Sequence, residues 1–129
     1  MLLTGWQWTA KQLLKMKVSE IVSAVEGTLV SGQHLLSQEI HYGFSSDLMS
    51  DVLTTSSDHL ALITGLANSQ VIRTAEMSDI AVIIFVRDKK VSNEMVTLAR
   101  ENDMVLIETA FSMFKTSGIL YGGGLKPLF

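Results

Sequence analysis

The residues best suited to bind a ligand follow the first of three apolar segments in the second half of the chain. The turn after residues 60–63 holds small and hydrogen-bonding side chains: Thr64, Gly65, Asn68, Ser69 and Gln70. If this segment is a parallel strand that leads into a helix, the N–H groups at the start of the helix favour phosphate or carboxylate. Gly65 would allow close approach to the backbone, and Arg73 would add positive charge. In the alternative interpretation, Gly65 only forms the turn and Ser69 only caps the helix.

Two further groups of polar residues could contribute to the same crevice. Ser46 and Asp47 lie in a polar stretch before the first apolar segment, and Thr109, Ser112 and Lys115 follow the third segment. The second group would line the crevice if the third strand neighbours the first. The alternative for the first group is an Asx turn, and for the second group a capped helix.

Catalytic motifs and metal-binding spacings are absent from the sequence. The run at 122–126 lacks the spacing of a phosphate-binding loop, and no G-x-S-x-G surrounds a serine. Asp47 and Asp51 could pair as carboxylates, although a solvated turn is the simpler interpretation. The chain has no cysteine, and metal-ligand spacing is missing among its histidines, His34, His41 and His59. We therefore expect no metal, no cofactor and no enzymatic activity.

Alternating apolar segments and helical patterns predict the elements that would position these residues. Segments 60–63, 80–86 and 104–107 are continuously apolar, which indicates strands buried on both faces. A helix follows each segment. The first is capped by Asn68 or Ser69 and the second by Ser92. The third covers residues 110–121, and its core candidates are Phe111, Phe114 and Ile119. The fold class is thus α/β, a three-layer domain with a mostly parallel central sheet, β-α-β-α-β-α over residues 60–121.

The first half of the chain predicts a helix and two short strands at an edge of the same sheet. Ser19 can cap the helix and Gly27 can end it, while residues 28–30 and 39–44 are strand candidates. The predicted organisation is an N-terminal extension at 1–15, a domain at 16–122 and a C-terminal tail at 123–129.

Composition limits the classes of partner. The 129 residues carry a net charge of −3 without a basic cluster, which argues against nucleic acid, and no apolar run reaches the length of a membrane span. Absence of cysteine fits a reducing, cytoplasmic compartment. With 47% hydrophobic residues, we expect a homodimer, with Phe111, Phe114 and the first fifteen residues at its contact.

Four stretches resemble the DRTGG domain family. They are residues 16–21 (MKVSEI), 46–53 (SDLMSDVL), 62–68 (LITGLAN) and 73–81 (RTAEMSDIA), although the motif that names the family is absent. The family is similar to the N-terminal domain of HPr kinase and, more distantly, to the N-terminal domains of Mur ligases. Ser45, Ser46 and Asp47 resemble the turn near the nucleotide in the latter, without its arginine. The resemblance implies an accessory, dimer-forming module, bacterial and cytoplasmic, and no kinase activity.

The sequence therefore predicts a non-catalytic regulatory or scaffold domain that senses a small anionic metabolite or a nucleotide, or binds a protein partner. One alternative is a pure protein-interaction module without a small ligand. The other is a small enzyme acting on a phosphorylated substrate, which would use the titratable residues of the crevice: Asp47, Asp51, Arg73 and Lys115.

Overall fold

The computed structural model describes residues 15–55 and 57–129, so the predicted extension at 1–15 lies outside it except for Lys15. Strands and helices alternate along most of the described chain. Their order is β1 (Met16–Lys17), α1 (Val18–Ala24), β2 (Thr28–Ser31), a 3-10 turn (Gln33–Leu35), β3 (Glu39–Ile40), β4 (Tyr42–Ser45), α2 (Met49–Val52), β5 (Leu60–Thr64), α3 (Ser69–Met77), β6 (Val82–Phe85), α4 (Asn93–Glu101), β7 (Val105–Glu108), α5 (Met113–Gly123) and β8 (Lys126–Pro127).

The central sheet has six strands in the order β2-β7-β6-β5-β4-β8. The strands β7, β6, β5, β4 and β8 are all parallel to one another. Only β2, which pairs with β7, runs antiparallel. The predicted α/β class with a mostly parallel sheet is therefore confirmed. The strand predicted at residues 39–44 forms two separate strands. Strand β3 pairs with β1 in a two-stranded sheet, whereas β4 joins the central sheet. In the predicted tail, Lys126 and Pro127 form the edge strand β8.

Helices cover both faces of the sheet and form three layers. Along β6, Ile84 belongs to an apolar cluster with α1 and α5, whereas Phe85 belongs to a second cluster with α2, α3 and α4. Both side chains are fully buried. This burial on two faces explains why the strand segments are continuously apolar rather than alternating.

Most of the predicted helix caps are confirmed. The Asn68 side chain accepts a hydrogen bond from the Val71 N–H at 3.1 Å, and Ser92 and Ser112 cap α4 and α5 in the same way. Ser19 was expected to cap the first helix, but that helix already begins at Val18. The Lys17 N–H there donates to the Glu20 carboxylate at 2.7 Å, which replaces a hydroxyl cap. No helix in the described part of the chain is long and apolar enough to cross a membrane.

The expectation that Phe114 is a core residue is wrong. Its side chain is 89% exposed, while Phe111 and Ile119 pack against the cluster of α1 and α5 as partly buried residues. The inward face of α5 is occupied by Thr116 and Leu120. Phe114 precedes Thr116 by two positions, about 200° around the helix, and therefore points away from the sheet.

Two buried threonines give a matched test of hydrogen bonding in the core. The Thr109 hydroxyl donates to the Val25 carbonyl at 2.8 Å, whereas the equally buried Thr116 hydroxyl has no partner in the described structure. Because an unpaired buried hydroxyl is unfavourable, Thr116→Val is expected to raise the free energy of unfolding by up to about 1 kcal/mol. Thr109→Val is expected to lower it by about 1–2 kcal/mol. Urea unfolding of both variants measures the difference, and equal losses would contradict this assignment.

Candidate functional site

Strands β4, β5 and β6 lie side by side and end at the same edge of the sheet. Ser45 of β4 is in register with Ile63 of β5, and Thr64 of β5 with Phe85 of β6. The turns after these strands therefore converge. The carboxyl edge of a parallel sheet is where ligands bind in α/β proteins, so these turns form the candidate site.

The Asp47 carboxylate links the turn after β4 to the turn after β5. Its Oδ1 accepts hydrogen bonds from the Gly65 N–H at 2.6 Å and from the Thr64 hydroxyl at 3.0 Å. Thr64 is buried, and its oxygen also accepts from the Leu66 N–H at 3.2 Å. The carboxylate thus fixes the conformation of both turns.

Arg87, directly after β6 and Val86, completes the cluster. Its Nη2 lies 3.9 Å from Asp47 Oδ2, and its guanidinium lies over Gly65 so closely that a Cβ atom there would collide with it. Gly65 is therefore needed for this approach of the side chain. The Arg87 side chain is 54% exposed, and Asp47 is its sole carboxylate partner within the described residues. We call Asp47, Thr64, Gly65 and Arg87 the carboxyl-edge cluster.

The backbone at Arg87 is held from the opposite side. Arg87 and Asp88 both adopt positive φ angles, 60° and 59°. The Arg87 N–H donates to the Phe111 carbonyl at 2.8 Å, and the Asp88 N–H donates to the Thr109 carbonyl at 3.0 Å. These two bonds to the loop after β7 fix the backbone turn from which the Arg87 side chain extends over Gly65.

A second set of charges lies beside the cluster, after β6 and β7. The Glu108 carboxylate is largely buried, accepts from the Val91 N–H at 2.7 Å and lies 3.9 Å from Lys90 Nζ. Hydrogen bonding to the Asp88 carboxylate raises the pKa of the Lys90 side chain. These charges are therefore paired with one another beside the cluster.

Three of the residues predicted from the sequence meet in the cluster: Asp47, Thr64 and Gly65. Among the others near α3, Asn68 caps the helix, the Ser69 hydroxyl donates to the Glu94 carboxylate at 2.7 Å, and Arg73 is exposed on the helix surface. Ser69 therefore connects α3 to α4 rather than facing the cluster.

The remaining predicted residues serve local structure. The Ser46 hydroxyl accepts from the Leu48 N–H at 3.0 Å, Thr109 is hydrogen-bonded in the core, and Ser112 caps α5. The condition that the third strand neighbours the first is not met, because β6 lies between β5 and β7. Thr109 and Ser112 therefore follow a strand that does not pair with β5.

Arg87 was not among the residues predicted from the sequence, in which Arg73 was expected to supply the positive charge. A signal was present, because Arg87 follows the second apolar segment and strand ends carry the site in parallel sheets. The sequence alone did not show that Arg87 lies near Gly65, because this depends on the strand order, which places β6 directly beside β5.

The cluster offers the exposed N–H groups and the positive charge of the Arg87 guanidinium, whereas the Thr64 hydroxyl and the Gly65 N–H already donate to Asp47. A guanidinium presents a planar fork of N–H groups that suits phosphate and carboxylate. Asp47 already accepts two hydrogen bonds and faces a cation, so its role is to position Gly65 and Arg87. Within the described ranges, no group of three histidine, aspartate or glutamate side chains is placed to hold a metal ion.

Comparison with known proteins agrees with the fold. A crystal structure with a similar fold contains the CBS and DRTGG domains of the regulatory region of Clostridium perfringens pyrophosphatase, complexed with its activator diadenosine tetraphosphate. The TM-score is 0.72 at 14% identity, and the match covers 90% of this chain and 50% of that one, so the chain spans half its length. At this identity the likeness shows the fold alone.

Sequence comparison identifies the family. No curated protein matches the chain. The predicted likeness to the N-terminal domain of HPr kinase stays a prediction. The model of the DRTGG domain matches residues 20–122, nearly the whole domain predicted at 16–122. The chain therefore belongs to the DRTGG domain family.

Proposed function

We propose that this chain is a non-catalytic regulatory module that binds a small anion of the nucleotide class at the carboxyl-edge cluster. The observation that carries the proposal is the half-exposed guanidinium of Arg87, which lies over Gly65 and extends from a backbone turn held by two hydrogen bonds. A positioned and still accessible guanidinium binds phosphate with two hydrogen bonds and loses little entropy in doing so.

The surroundings of the cluster support an anionic ligand. Helix α3 begins at Ser69, four residues after Gly65, so the positive end of its dipole lies at the same edge of the sheet. The pyrophosphatase regulatory region was crystallised with a dinucleotide activator. That ligand supports the nucleotide class as the first to test.

A thermal-shift experiment tests the proposal with inorganic phosphate, ATP and diadenosine tetraphosphate as probes. A ligand at 100 times its dissociation constant is expected to add about 2.7 kcal/mol to the free energy of unfolding. Arg87→Gln is expected to weaken binding of the active probe by about tenfold or more, because a charge-assisted pair is lost.

Arg73→Gln is the matched control, because it removes the same charge from the exposed surface of α3. We expect this variant to bind as the native chain does. If Arg73→Gln abolishes the shift and Arg87→Gln does not, the site is the one that sequence analysis placed on α3. If no probe shifts the native chain, the second candidate function is favoured.

The second candidate is a protein-interaction module, which includes the homodimer expected from the sequence. Exposed apolar side chains favour it: Met77 at the end of α3 is 73% exposed, and Leu48 and Leu53 flank α2 with about half of their surface in solvent. Helices α2 and α3 are in contact, and the Ser78 hydroxyl donates to the Val52 carbonyl at 3.2 Å. We propose this α2–α3 surface as the contact of a homodimer, in place of Phe111, Phe114 and the first fifteen residues expected from the sequence.

Light scattering tests the homodimer directly. We expect the mass of the native chain to be twice that of one chain, and Met77→Glu to shift it to a monomer, because a charge would be buried at the contact. A native monomer at all concentrations would contradict the dimer. We also propose a bacterial, cytoplasmic setting, which follows from the family resemblance and the absence of cysteine.

An enzymatic role has less support. The titratable residues considered for it share no hydrogen bond or ion pair with one another in the described part of the chain: Asp47, Asp51, Arg73 and Lys115. The Lys115 ammonium instead lies 3.8 Å from the centre of the Phe111 ring.

A further inference from the structure

The outer face of α5 is apolar and open. Phe114 is 89% exposed and Tyr121 is 68% exposed, and their separation of seven positions places them on the same side of the helix. Gly118 and Gly122 lie on this side as well, and a Cβ atom added at either glycine would meet nothing within 4 Å. We call Phe114, Gly118, Tyr121 and Gly122 the α5 outer face.

We propose that residues 1–14 of this chain bind to the α5 outer face. The point where this segment joins the described chain supports the assignment. Met16 is buried, and a Cβ atom built at Gly123, the last residue of α5, would lie 3.0 Å from its Sδ. The segment therefore enters the fold beside one end of the face that it would cover.

The sequence of the segment complements an apolar face. Most of its residues are apolar: Met1, Leu2, Leu3, Trp6, Trp8, Ala10, Leu13 and Leu14. Lys11 is its single charged side chain. Even at about 1.5 Å per residue, the short rise of a helix, fourteen residues reach about 21 Å, which is more than the length of about 16 Å of the eleven-residue α5.

The size of the face favours a tethered segment over a second copy of the chain. Two aromatic side chains bury at most about 500 Å² when fully covered. A stable interface between separate proteins needs roughly 800 Å² from each partner. A segment of the same chain acts at an effective concentration in the millimolar range, so a smaller contact is sufficient to hold it.

The two tryptophans of the chain, Trp6 and Trp8, both lie in this segment, so tryptophan fluorescence reports on it alone. In the full-length protein we expect blue-shifted emission and protection from acrylamide quenching. The double variant Phe114→Asp/Tyr121→Asp is expected to shift the emission to the red and to raise quenching to the level of the urea-unfolded chain. Gly118→Glu, a substitution into open space, is expected to do the same.

The control is Phe129→Asp, an equally exposed aromatic position that contacts Phe44 on the opposite side of the sheet, which should leave the emission unchanged. Circular dichroism confirms that each variant stays folded. Three results would overturn the proposal: tryptophans in the native chain as accessible as in urea, protection that survives both α5 variants, or protection that grows with protein concentration. The last result would assign the face to a second copy.

Discussion

Replacing Phe85 by alanine is expected to lower the free energy of unfolding by about 3–5 kcal/mol. Phe85 is fully buried and lies in β6, between β5 and β7. Its ring belongs to the cluster that joins the sheet to α2, α3 and α4, so its loss leaves a cavity between two layers. Because domains of this kind have a total stability of about 5–15 kcal/mol, the change is a large part of the whole.

Equilibrium unfolding in urea measures this loss, and Phe44→Ala is the matched control. Phe44 lies in β4 toward the edge of the sheet, is only partly buried and contacts Phe129. The Phe44→Ala variant should therefore lose clearly less free energy of unfolding than the Phe85→Ala variant. If the Phe85 variant lost no more than the Phe44 variant, β6 would not be a strand covered on both faces.

The second large effect is expected for Asp47→Ala, which should lower the free energy of unfolding by about 2 kcal/mol. The substitution removes the acceptor of the Gly65 N–H and of the Thr64 hydroxyl, and Thr64 is buried. Both donors are then left without their partner in the turn. The exposed ion pair with Arg87 at 3.9 Å adds little to this loss.

Asp47→Asn separates the hydrogen bonds from the charge. The amide oxygen of asparagine can accept from Gly65 and Thr64, so most of the stability should be retained in urea unfolding. An asparagine variant as unstable as the alanine variant would show that the charge, rather than the acceptor geometry, holds the two turns. An alanine variant as stable as the native chain would show that Asp47 does not link them.

Local patterns were sufficient to predict the central part of the fold. Strands β5, β6 and β7 are continuous apolar runs, and the helices between them begin at Asn68 and Ser92, whose side chains accept hydrogen bonds from the first turn. Each of these signals depends on residues close in sequence. The turn after β5 could be identified as a candidate site for the same reason.

Features that depend on distant parts of the chain could not be predicted. Strand β8 has only two residues and exists because β4 offers a free edge, and β3 leaves the central sheet because β1 pairs with it. The exposure of Phe114 was missed because α5 carries Gly118, Gly122 and Gly123, which weaken its apolar periodicity. The role of Arg87 required the strand order.

The central claim is that the carboxyl-edge cluster binds an anion through the Arg87 guanidinium, which lies over Gly65. Nuclear magnetic resonance of the nitrogen-15-labelled chain tests it during titration with ATP. We predict saturable shifts of the Gly65 amide and of the Arg87 side-chain Nε–H signal, and the loss of both responses in Arg87→Gln. Saturable shifts confined to other surfaces, with the Gly65 and Arg87 signals unmoved, would contradict the claim.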